Sequence, residues 1–311
     1  MGTTKERKER IGENGPSFGL QPNREGGNLF VAKESLYDPR KERIEWWRSA
    51  PEKVIDYESG FAKDKDGSSY WYAPGSTLLI GDPEKEEAIQ VMDSCETPWA
   101  FATVNRAFEE LGSKSGQVDV LERGFGMGIT ARRVIQNLVP RGGSYTGIEL
   151  NIKNAAYAKR EWRTKQISAL ANMASGMPDT KPNITIEIIE GEAYEETEKL
   201  AAEGQKFDII ISDTFPLIKE EQGINDLQDL DVLKRCLKTG GVFTFFAYFP
   251  ESDGALVLVR KQGEMIDKHF ENYAVTQARI SPPPYYKYLH TDTGDPVRTL
   301  PVVVCKDPKF N

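Results

Sequence analysis

The middle of the chain alternates between short runs that are apolar on both faces and longer stretches with a helical period. Strands buried between two helical layers need the first pattern, and amphipathic helices show the second. The predicted strands are Val118–Arg123, Ser144–Glu149, Ile184–Glu190, Phe207–Ser212 and Gly241–Tyr248. The helices predicted between them are Gly128–Leu138, Asn151–Ala174, Tyr194–Ala202 and Asp226–Leu237. This alternation indicates an α/β fold with a doubly wound, mostly parallel sheet.

The C-terminal part departs from this alternation. Ala274–Ser281 and Val297–Lys306 have the pattern of two strands, and the loop between them is rich in turn residues. Two strands joined without an intervening helix are typical of an antiparallel pair. We therefore predict an antiparallel strand at the C-terminal edge of the sheet.

The N-terminal part lacks the strand-helix rhythm, and we predict a helical and irregular extension there. A helix begins near Pro39, and a short strand at Ser76–Ile80 interrupts the irregular segment Asp56–Gly81. Helical periodicity follows at Glu84–Asp93 and at Trp99–Leu111, with a break between the two helices.

The first residues of the chain, up to about residue 30, are rich in glycine and charged side chains. This composition favours a mobile arm, and a lid that orders over a ligand is the alternative. We divide the chain into an N-terminal arm and lid-like extension, residues 1–84, and a main domain, residues 85–311.

Composition disfavours several classes of function. The chain has 40 basic and 48 acidic residues and a net charge of −8, which disfavours nucleic-acid and membrane binding. Its three cysteines and two histidines are scattered, so no metal site and no Ser/His/Asp triad is expected. The sequence starts without a signal peptide and contains no membrane-spanning run, so we expect a cytoplasmic protein. A homodimer is compatible with the sequence.

The sharpest motif is Leu121-Glu122-Arg123-Gly124-Phe125-Gly126-Met127-Gly128, which follows a predicted strand and opens a predicted helix. Glycines at such a turn let a ligand approach the backbone, but a plain turn or a nicotinamide site would share them. Two residues favour S-adenosylmethionine over a dinucleotide. Ile129 stands where the dinucleotide fingerprint has Gly or Ala, and the Glu122 carboxylate would repel a pyrophosphate but can pair indirectly with the ammonium of methionine. The loop residues predicted to bind this cofactor are Glu122, Gly124, Phe125, Gly126, Met127 and Gly128.

Carboxylates also stand at the ends of later strands. Glu149 ends the second strand, where it can accept hydrogen bonds from both ribose hydroxyls of this cofactor or of NAD. Gly191-Glu192-Ala193 follows the third strand and is predicted to cover the adenine, with a solvated helix start as the alternative. Asp213 follows the fourth strand, where an open parallel sheet binds its ligands, although a turn cap before Pro216 would look the same.

Several segments together resemble guanidinoacetate N-methyltransferase and its relatives among the class I S-adenosylmethionine-dependent methyltransferases. The resemblance runs from about residue 85 to 306 and is carried by ETP at 96–98, ERGFGMG at 122–128, DTFPL at 213–217, LKTGGV at 237–242 and the tail from PPPYYKY onward. It implies a Rossmann-like methyltransferase fold, S-adenosylmethionine as methyl donor with S-adenosylhomocysteine as product, and a small-molecule guanidino substrate. In the family, carboxylates at the positions of Glu96 and Asp213 hold the guanidino group.

The chemistry of the reaction explains the two carboxylates. A guanidinium has a pKa above about 12, so it must lose a proton as it attacks the methyl carbon, and it approaches a sulfonium of the same sign. Glu96 and Asp213 would bind the planar fork, cancel the repulsion and accept the proton, one of them as general base. Thr214, Tyr285 and Tyr286 are further candidates for substrate contact, and ordinary edge-strand packing is the alternative for the tyrosines.

The chain departs from the family beside Glu96. Cys95 precedes this residue where the family has Trp, and Trp99–Thr103 replaces the family's Tyr-Met-His-Ala-Leu. We therefore expect arginine or an arginine-derived metabolite as substrate, with guanidinoacetate also a candidate. The alternatives are methylation of another amine or of peptidyl arginine, a nicotinamide-dependent oxidoreductase, and a non-catalytic relative.

Overall fold

Strands and helices alternate along the computed structural model, which describes residues 39–63, 69–81, 89–112, 116–175, 183–214, 225–247, 260–282 and 299–309. The strands are β1 (Glu52–Tyr57), β2 (Gly60–Lys63), β3 (Ser69–Tyr72), β4 (Gly75–Ile80), β5 (Ile89–Asp93), β6 (Val118–Arg123), β7 (Gly143–Glu149), β8 (Ile184–Glu190), β9 (Phe207–Ser212), β10 (Leu237–Phe246), β11 (Phe270–Arg279) and β12 (Thr299–Pro308). The helices are α1 (Pro39–Ser49), α2 (Thr97–Leu111), α3 (Ile129–Leu138), α4 (Ile152–Tyr157), α5 (Arg163–Ser175), α6 (Ala193–Ala202), α7 (Leu230–Cys236) and α8 (Arg260–His269). None of the helices in these ranges is long and apolar enough to cross a membrane.

The central sheet has seven strands in the order β11-β12-β10-β9-β6-β7-β8. β10, β9, β6, β7 and β8 are parallel, whereas β12 is antiparallel to both of its neighbours. The predicted doubly wound, mostly parallel sheet with an antiparallel C-terminal strand is confirmed. The antiparallel strand is β12, which lies between β10 and the edge strand β11.

Both faces of the central sheet are buried at its middle strands. In β9, Ile209 and Ile211 belong to the apolar cluster that contains α2 and α3, whereas Ile210 belongs to the cluster that contains α7 and Ile266 of α8. All three side chains are fully buried, and each such burial stabilises the fold by about 2 kcal/mol. This packing is the reason for the continuous apolar run that the sequence shows in β9.

The segment before α2 differs from the prediction. β1, β4 and β5 form an antiparallel three-stranded sheet and β2 pairs with β3, where an irregular segment with one strand was expected. The helix predicted at Glu84–Asp93 is wrong for its described residues, because Ile89–Asp93 is β5 and pairs with β4. A run of five residues fits both the helical period and the strand period, so pairing with β4 decided its structure. The predicted boundary between residues 84 and 85 falls in the connection between these two paired strands.

The other predicted elements lie close to their expected places. α2 begins at Thr97, with Pro98 in its first turn, where the missing N–H leaves no helical bond unmade. The single helix predicted at Asn151–Ala174 is α4 and α5 joined by a π-helical segment, Ala158–Trp162. α8 was not predicted, because its sequence is strongly polar.

Candidate active site

A cavity of about 350 Å³ lies at the carboxyl ends of β6, β7 and β9, a volume typical of small-molecule sites. Loops after parallel strands open on the same edge of a sheet, which brings residues distant in sequence together. The predicted site residues that line the cavity are Glu96, Gly124, Gly126, Glu149, Gly191, Glu192, Ala193, Asp213 and Thr214. Tyr285 and Tyr286 lie outside the described residues.

The glycine loop after β6 is shaped by the chain's own contacts. Gly124 has φ +86°, and a Cβ there would lie 2.0 Å from the carbonyl oxygen of Asp213. The amide of Gly126 donates to Glu149 Oε2 at 3.0 Å, and its carbonyl oxygen accepts from Asn154 Nδ2 at 2.8 Å. A side chain at Gly124 would therefore separate the loop from the strand end that carries Asp213.

Three of the predicted loop residues do not line the cavity but lie behind its wall: Phe125, Met127 and Gly128. Phe125 is fully buried and packs edge-on against Trp162, with ring centroids 5.0 Å apart. A Cβ at Gly128 would lie 2.6 Å from Phe125, so only glycine fits beneath that ring. The amide of Met127 donates to Met92 Sδ at 3.3 Å. These contacts fix the loop's conformation.

Glu122 is fully buried beneath the loop and does not line the cavity. Its Oε2 accepts a hydrogen bond from the Tyr145 hydroxyl, and its Oε1 has no hydrogen-bond partner among the described residues. Burial raises the pKa of Glu122 to about 8, against the opposing effect of the Tyr145 bond, and the charge of Glu149 raises it further. The Glu122 carboxyl group is therefore expected to lose its proton near pH 8.

Glu149 ends β7 and connects the glycine loop to α4. Its Oε1 accepts from the amide of Asn151 at 2.8 Å, and Asn154 Nδ2 donates to its Oε2 at 3.0 Å. Burial raises the pKa of Glu149 to about 7, while the bonds from Asn151, Gly126 and Asn154 act in the opposite direction. Because a carboxylate oxygen has two lone pairs, Oε1 keeps room for one more donor beside those described.

Glu96 and Asp213 line the same cavity. Glu96 ends a 3-10 turn, Ser94–Glu96, and is only 5% exposed. Asp213 follows β9, and its buried Oδ2 has no hydrogen-bond partner among the described residues. Burial raises the pKa of Asp213 well above its ordinary value, and the negative charges of Glu96, Asp226 and Glu122 add to the shift. The two predicted carboxylates therefore interact, in surroundings that favour a cation.

Asp226 is a site residue that the sequence reasoning missed. Its Oδ1 accepts from Ser212 Oγ at 2.8 Å, from the amide of Thr214 at 3.2 Å and from Thr214 Oγ1 at 2.5 Å. Burial raises the pKa of Asp226 to about 6, and the Thr214 bond and the charge of Arg123 oppose the shift. Asp226 thereby fixes the backbone on either side of Asp213.

Arg123 provides a positive charge within this acidic group. Its Nη1 and Nη2 donate to Asp229 Oδ1 at 3.1 Å and to Oδ2 at 2.7 Å, and both side chains are nearly buried. This planar bidentate pair joins the end of β6 to the turn before α7. Arg123 stands inside the quoted glycine motif, but nothing in the sequence identified its partner 106 residues later.

α1 forms part of the cavity wall near Glu192 and Asn151. Arg40 and Trp47 line it, and Arg40 Nη2 donates to Glu192 Oε1 at 3.2 Å. Asn151 Nδ2 donates to the carbonyl oxygen of Trp47 at 2.9 Å, which attaches α1 to the end of β7. Trp47 is 5% exposed and packs with Ile80 in a small apolar cluster, so it belongs to the core of the extension.

Within the described residues, no group of three His, Cys, Asp or Glu side chains is placed to share a metal ion. The Cys95 thiol beside Glu96 has its pKa raised by burial and by the charges of Asp93 and Glu96. A protonated thiol is a poor nucleophile, so this environment disfavours a nucleophilic role for Cys95.

No protein-family model matches the chain, and no curated protein is similar to it in sequence. Similar solved structures include a spermidine synthase from Thermotoga maritima, at 14% identity and a TM-score of 0.45, over 82% of this chain and 81% of that one. A precorrin-6y C5,15-methyltransferase from Geobacter metallireducens is 15% identical, with a TM-score of 0.36, over 67% and 87%. A SAM-dependent methyltransferase from Agrobacterium tumefaciens is 15% identical, with a TM-score of 0.40, over 81% and 77%.

The chain has a class I methyltransferase fold, defined by the seven-stranded sheet with its antiparallel β12 and by the helices on both faces. Its activity has to be argued from the residues of the site.

Titration of Glu122 alone is expected to lower the free energy of unfolding of the ligand-free protein by about 2–3 kcal/mol between pH 5.5 and pH 8. The pKa of Glu122 is raised from 4.5 to about 8 in the folded state, so the folded state binds more protons than the unfolded state in this window. The contribution of Glu122 to the free energy of unfolding is therefore fully present below the pKa of the unfolded state and is lost as pH rises through the pKa of the folded state. Glu149 and Asp226 act in the same direction.

Urea denaturation across this pH range measures the effect. Glu122→Gln is expected to reduce the pH dependence to the part that comes from Glu149 and Asp226, whereas the control Glu187→Gln, at an exposed position of β8, should keep all of it. A Glu122→Gln protein with the wild-type slope would contradict the assignment of the titration to Glu122.

Proposed function

We propose that this chain transfers a methyl group from S-adenosylmethionine to a guanidino nitrogen of a small molecule. The observation that carries the proposal is the pair Glu96 and Asp213 in the same cavity as the glycine loop and Glu149. We call the part of the cavity with the glycine loop and Glu149 the cofactor end, and the part with Glu96 and Asp213 the acidic end. A transfer between two bound reactants requires two such binding sites in one cavity.

The chemistry of the cofactor end suits S-adenosylmethionine. Gly124 and Gly126 offer a wall without side chains, and Glu149 Oε1 can accept a hydrogen bond from a ribose hydroxyl. The stretch from Gly191 to Ala193 lines the cavity beside it, where an adenine would lie. When bound, S-adenosylmethionine supplies a methyl group on a positively charged sulfur, a strong electrophile with a good leaving group.

The acidic end suits a guanidinium. Glu96 and Asp213 present carboxylate oxygens to its planar fork, which gives directed, charge-assisted hydrogen bonds. Their negative charge also offsets the repulsion between a cationic substrate and a sulfonium. A primary amine would offer no planar fork to two acceptors, so the pair favours a guanidino group over another amine.

Asp213 is the group that would accept the proton. As the N–C bond forms and the S–C bond breaks, the attacking nitrogen releases its proton to the carboxylate of Asp213, which lines the cavity. The burial that raises the pKa of Asp213 makes it a stronger base, and a bound guanidinium keeps it ionised until transfer. Glu96 holds the guanidinium meanwhile.

A small substrate fits better than a protein. Arg40 and Trp47 of α1 line the cavity above the cofactor end, and α1 is bonded to Glu192 and Asn151. A peptide bearing arginine needs an open groove, whereas this cover favours a closed pocket. Free arginine or an arginine-derived metabolite is therefore the proposed substrate class, with guanidinoacetate the smaller candidate.

Calorimetric titration tests the proposal. S-adenosylhomocysteine is titrated first, and the loaded protein is then titrated with L-arginine, agmatine, guanidinoacetate and, as a control without the fork, putrescine. Binding of S-adenosylhomocysteine and of at least one guanidino compound, together with methyl transfer to that compound seen by mass spectrometry, is the expected result. Binding of putrescine alone would replace the guanidino assignment with an amine, and no binding of S-adenosylhomocysteine would overturn the cofactor assignment.

A further inference from the structure

A buried carboxylate three residues before Glu96 has no part in the reaction described above. Asp93 ends β5 and is fully buried. Its Oδ1 accepts from the Tyr57 hydroxyl at 2.6 Å and from the amide of Cys95 at 2.7 Å, and its Oδ2 accepts from the Thr77 hydroxyl. Donors from β1, β4 and the 3-10 turn thus converge on one side chain.

The same residue is bonded to Glu96. The backbone amide of Asp93 donates to Glu96 Oε1 at 3.1 Å, while the Asp93 carboxylate caps the turn Ser94–Glu96. This reciprocal capping box uses one oxygen of Glu96 and sets the direction of its carboxylate. The position of Glu96 therefore depends on where Asp93 is held.

The three-stranded sheet packs closely around Asp93. A Cβ at Gly75 would lie 1.8 Å from Ser94 Oγ and 2.7 Å from the Tyr57 hydroxyl oxygen, so glycine allows both groups to approach. β1 contributes little to the core, because Val54 is 53% exposed and Ile55 is 40% exposed. Its inward contact at Tyr57 is directed to Asp93 instead.

We propose that Asp93 and Tyr57 are positioning residues that hold Glu96 for binding the guanidino group, which makes the N-terminal three-stranded sheet part of the substrate site. The inference rests on the proposed function, because it gives Glu96 the substrate role argued there. A displacement of about 1 Å at a binding carboxylate is enough to lower kcat/KM strongly. Asp93 and Tyr57 need not touch the substrate to have this effect.

Tyr57→Phe tests the inference with a minimal change. Loss of the hydroxyl removes a hydrogen bond to a buried charge, and we expect KM for the guanidino substrate to rise roughly tenfold with a smaller change in kcat. The affinity for S-adenosylhomocysteine should stay unchanged, because Glu149 and the glycine loop are not involved. The control is Ser76→Ala on β4, which removes an exposed hydroxyl bonded to Asp56 and should leave KM unchanged.

A double variant separates positioning from general damage. If Tyr57 acts through Glu96, Tyr57→Phe combined with Glu96→Gln should be no worse in KM than Glu96→Gln alone. Additive effects, a wild-type KM for Tyr57→Phe, or loss of S-adenosylhomocysteine binding by Tyr57→Phe would each overturn the inference. A Glu96→Gln protein with wild-type kinetics would instead show that the proposed function fails at Glu96.

Discussion

Asp213→Asn is expected to lower kcat by roughly 10³-fold while the affinity for S-adenosylhomocysteine stays within about twofold of the wild type. The amide keeps the shape of the side chain but cannot accept the proton of a guanidinium. The change also relieves the repulsion of Asp213 by Glu96, Asp226 and Glu122, so the fold should be as stable as before or more stable. Steady-state turnover with the identified guanidino substrate, together with calorimetry for S-adenosylhomocysteine, measures both quantities.

The matched control for this substitution is Asp267→Asn, on the exposed face of α8. It changes the net charge by the same amount but lies outside the cavity, so kcat should stay at the wild-type value. If Asp213→Asn retained near-normal turnover, Asp213 would not be the proton acceptor, and Glu96 would be the remaining carboxylate for that role.

The sheet could be predicted because its strands are buried on both faces. The run Phe207–Ser212 is apolar at consecutive positions because Ile209, Ile210 and Ile211 contact two different helical layers. In the extension before α2 this signal is missing. β1 is mostly exposed and β5 is five residues long, so hydrophobic periodicity could not separate strand from helix. Pairing with β4 decided the structure of both strands.

The candidate site could be predicted where topology alone brings residues together. Gly124, Glu149 and Asp213 each follow a parallel strand, so their meeting at one edge follows from the strand pattern. Glu96 follows no strand of the central sheet, and it was identified through the family resemblance. Asp93 holds Glu96 through a local capping box, but the hydroxyls that hold Asp93, those of Tyr57 and Thr77, come from distant strands, and no local pattern encodes these contacts.

Gly124→Ala is expected to abolish measurable binding of S-adenosylhomocysteine and to lower the free energy of unfolding by about 2–4 kcal/mol. The φ of +86° at Gly124 is disfavoured for any residue with a Cβ, and that Cβ would lie 2.0 Å from the carbonyl oxygen of Asp213. Backbone atoms cannot yield as a side chain can. The glycine loop and the strand end at Asp213 must therefore separate, which disrupts both ends of the cavity together.

Two other glycines make this prediction specific, with urea denaturation and calorimetry as the measurements. At Gly126 a Cβ would lie 2.9 Å from the terminal methyl of Met92, a flexible group that can move, so Gly126→Ala should destabilise the fold less. At Gly263 in α8, a Cβ would meet no atom within 4 Å among the described residues outside the helix backbone, so Gly263→Ala should raise stability by about 0.5–1 kcal/mol. Equal effects at Gly124 and Gly126 would contradict the close approach of the loop to Asp213. A larger loss of stability for Gly124→Ala than for Gly126→Ala would support the contact between Gly124 and the carbonyl oxygen of Asp213 as the link between the cofactor end and the acidic end.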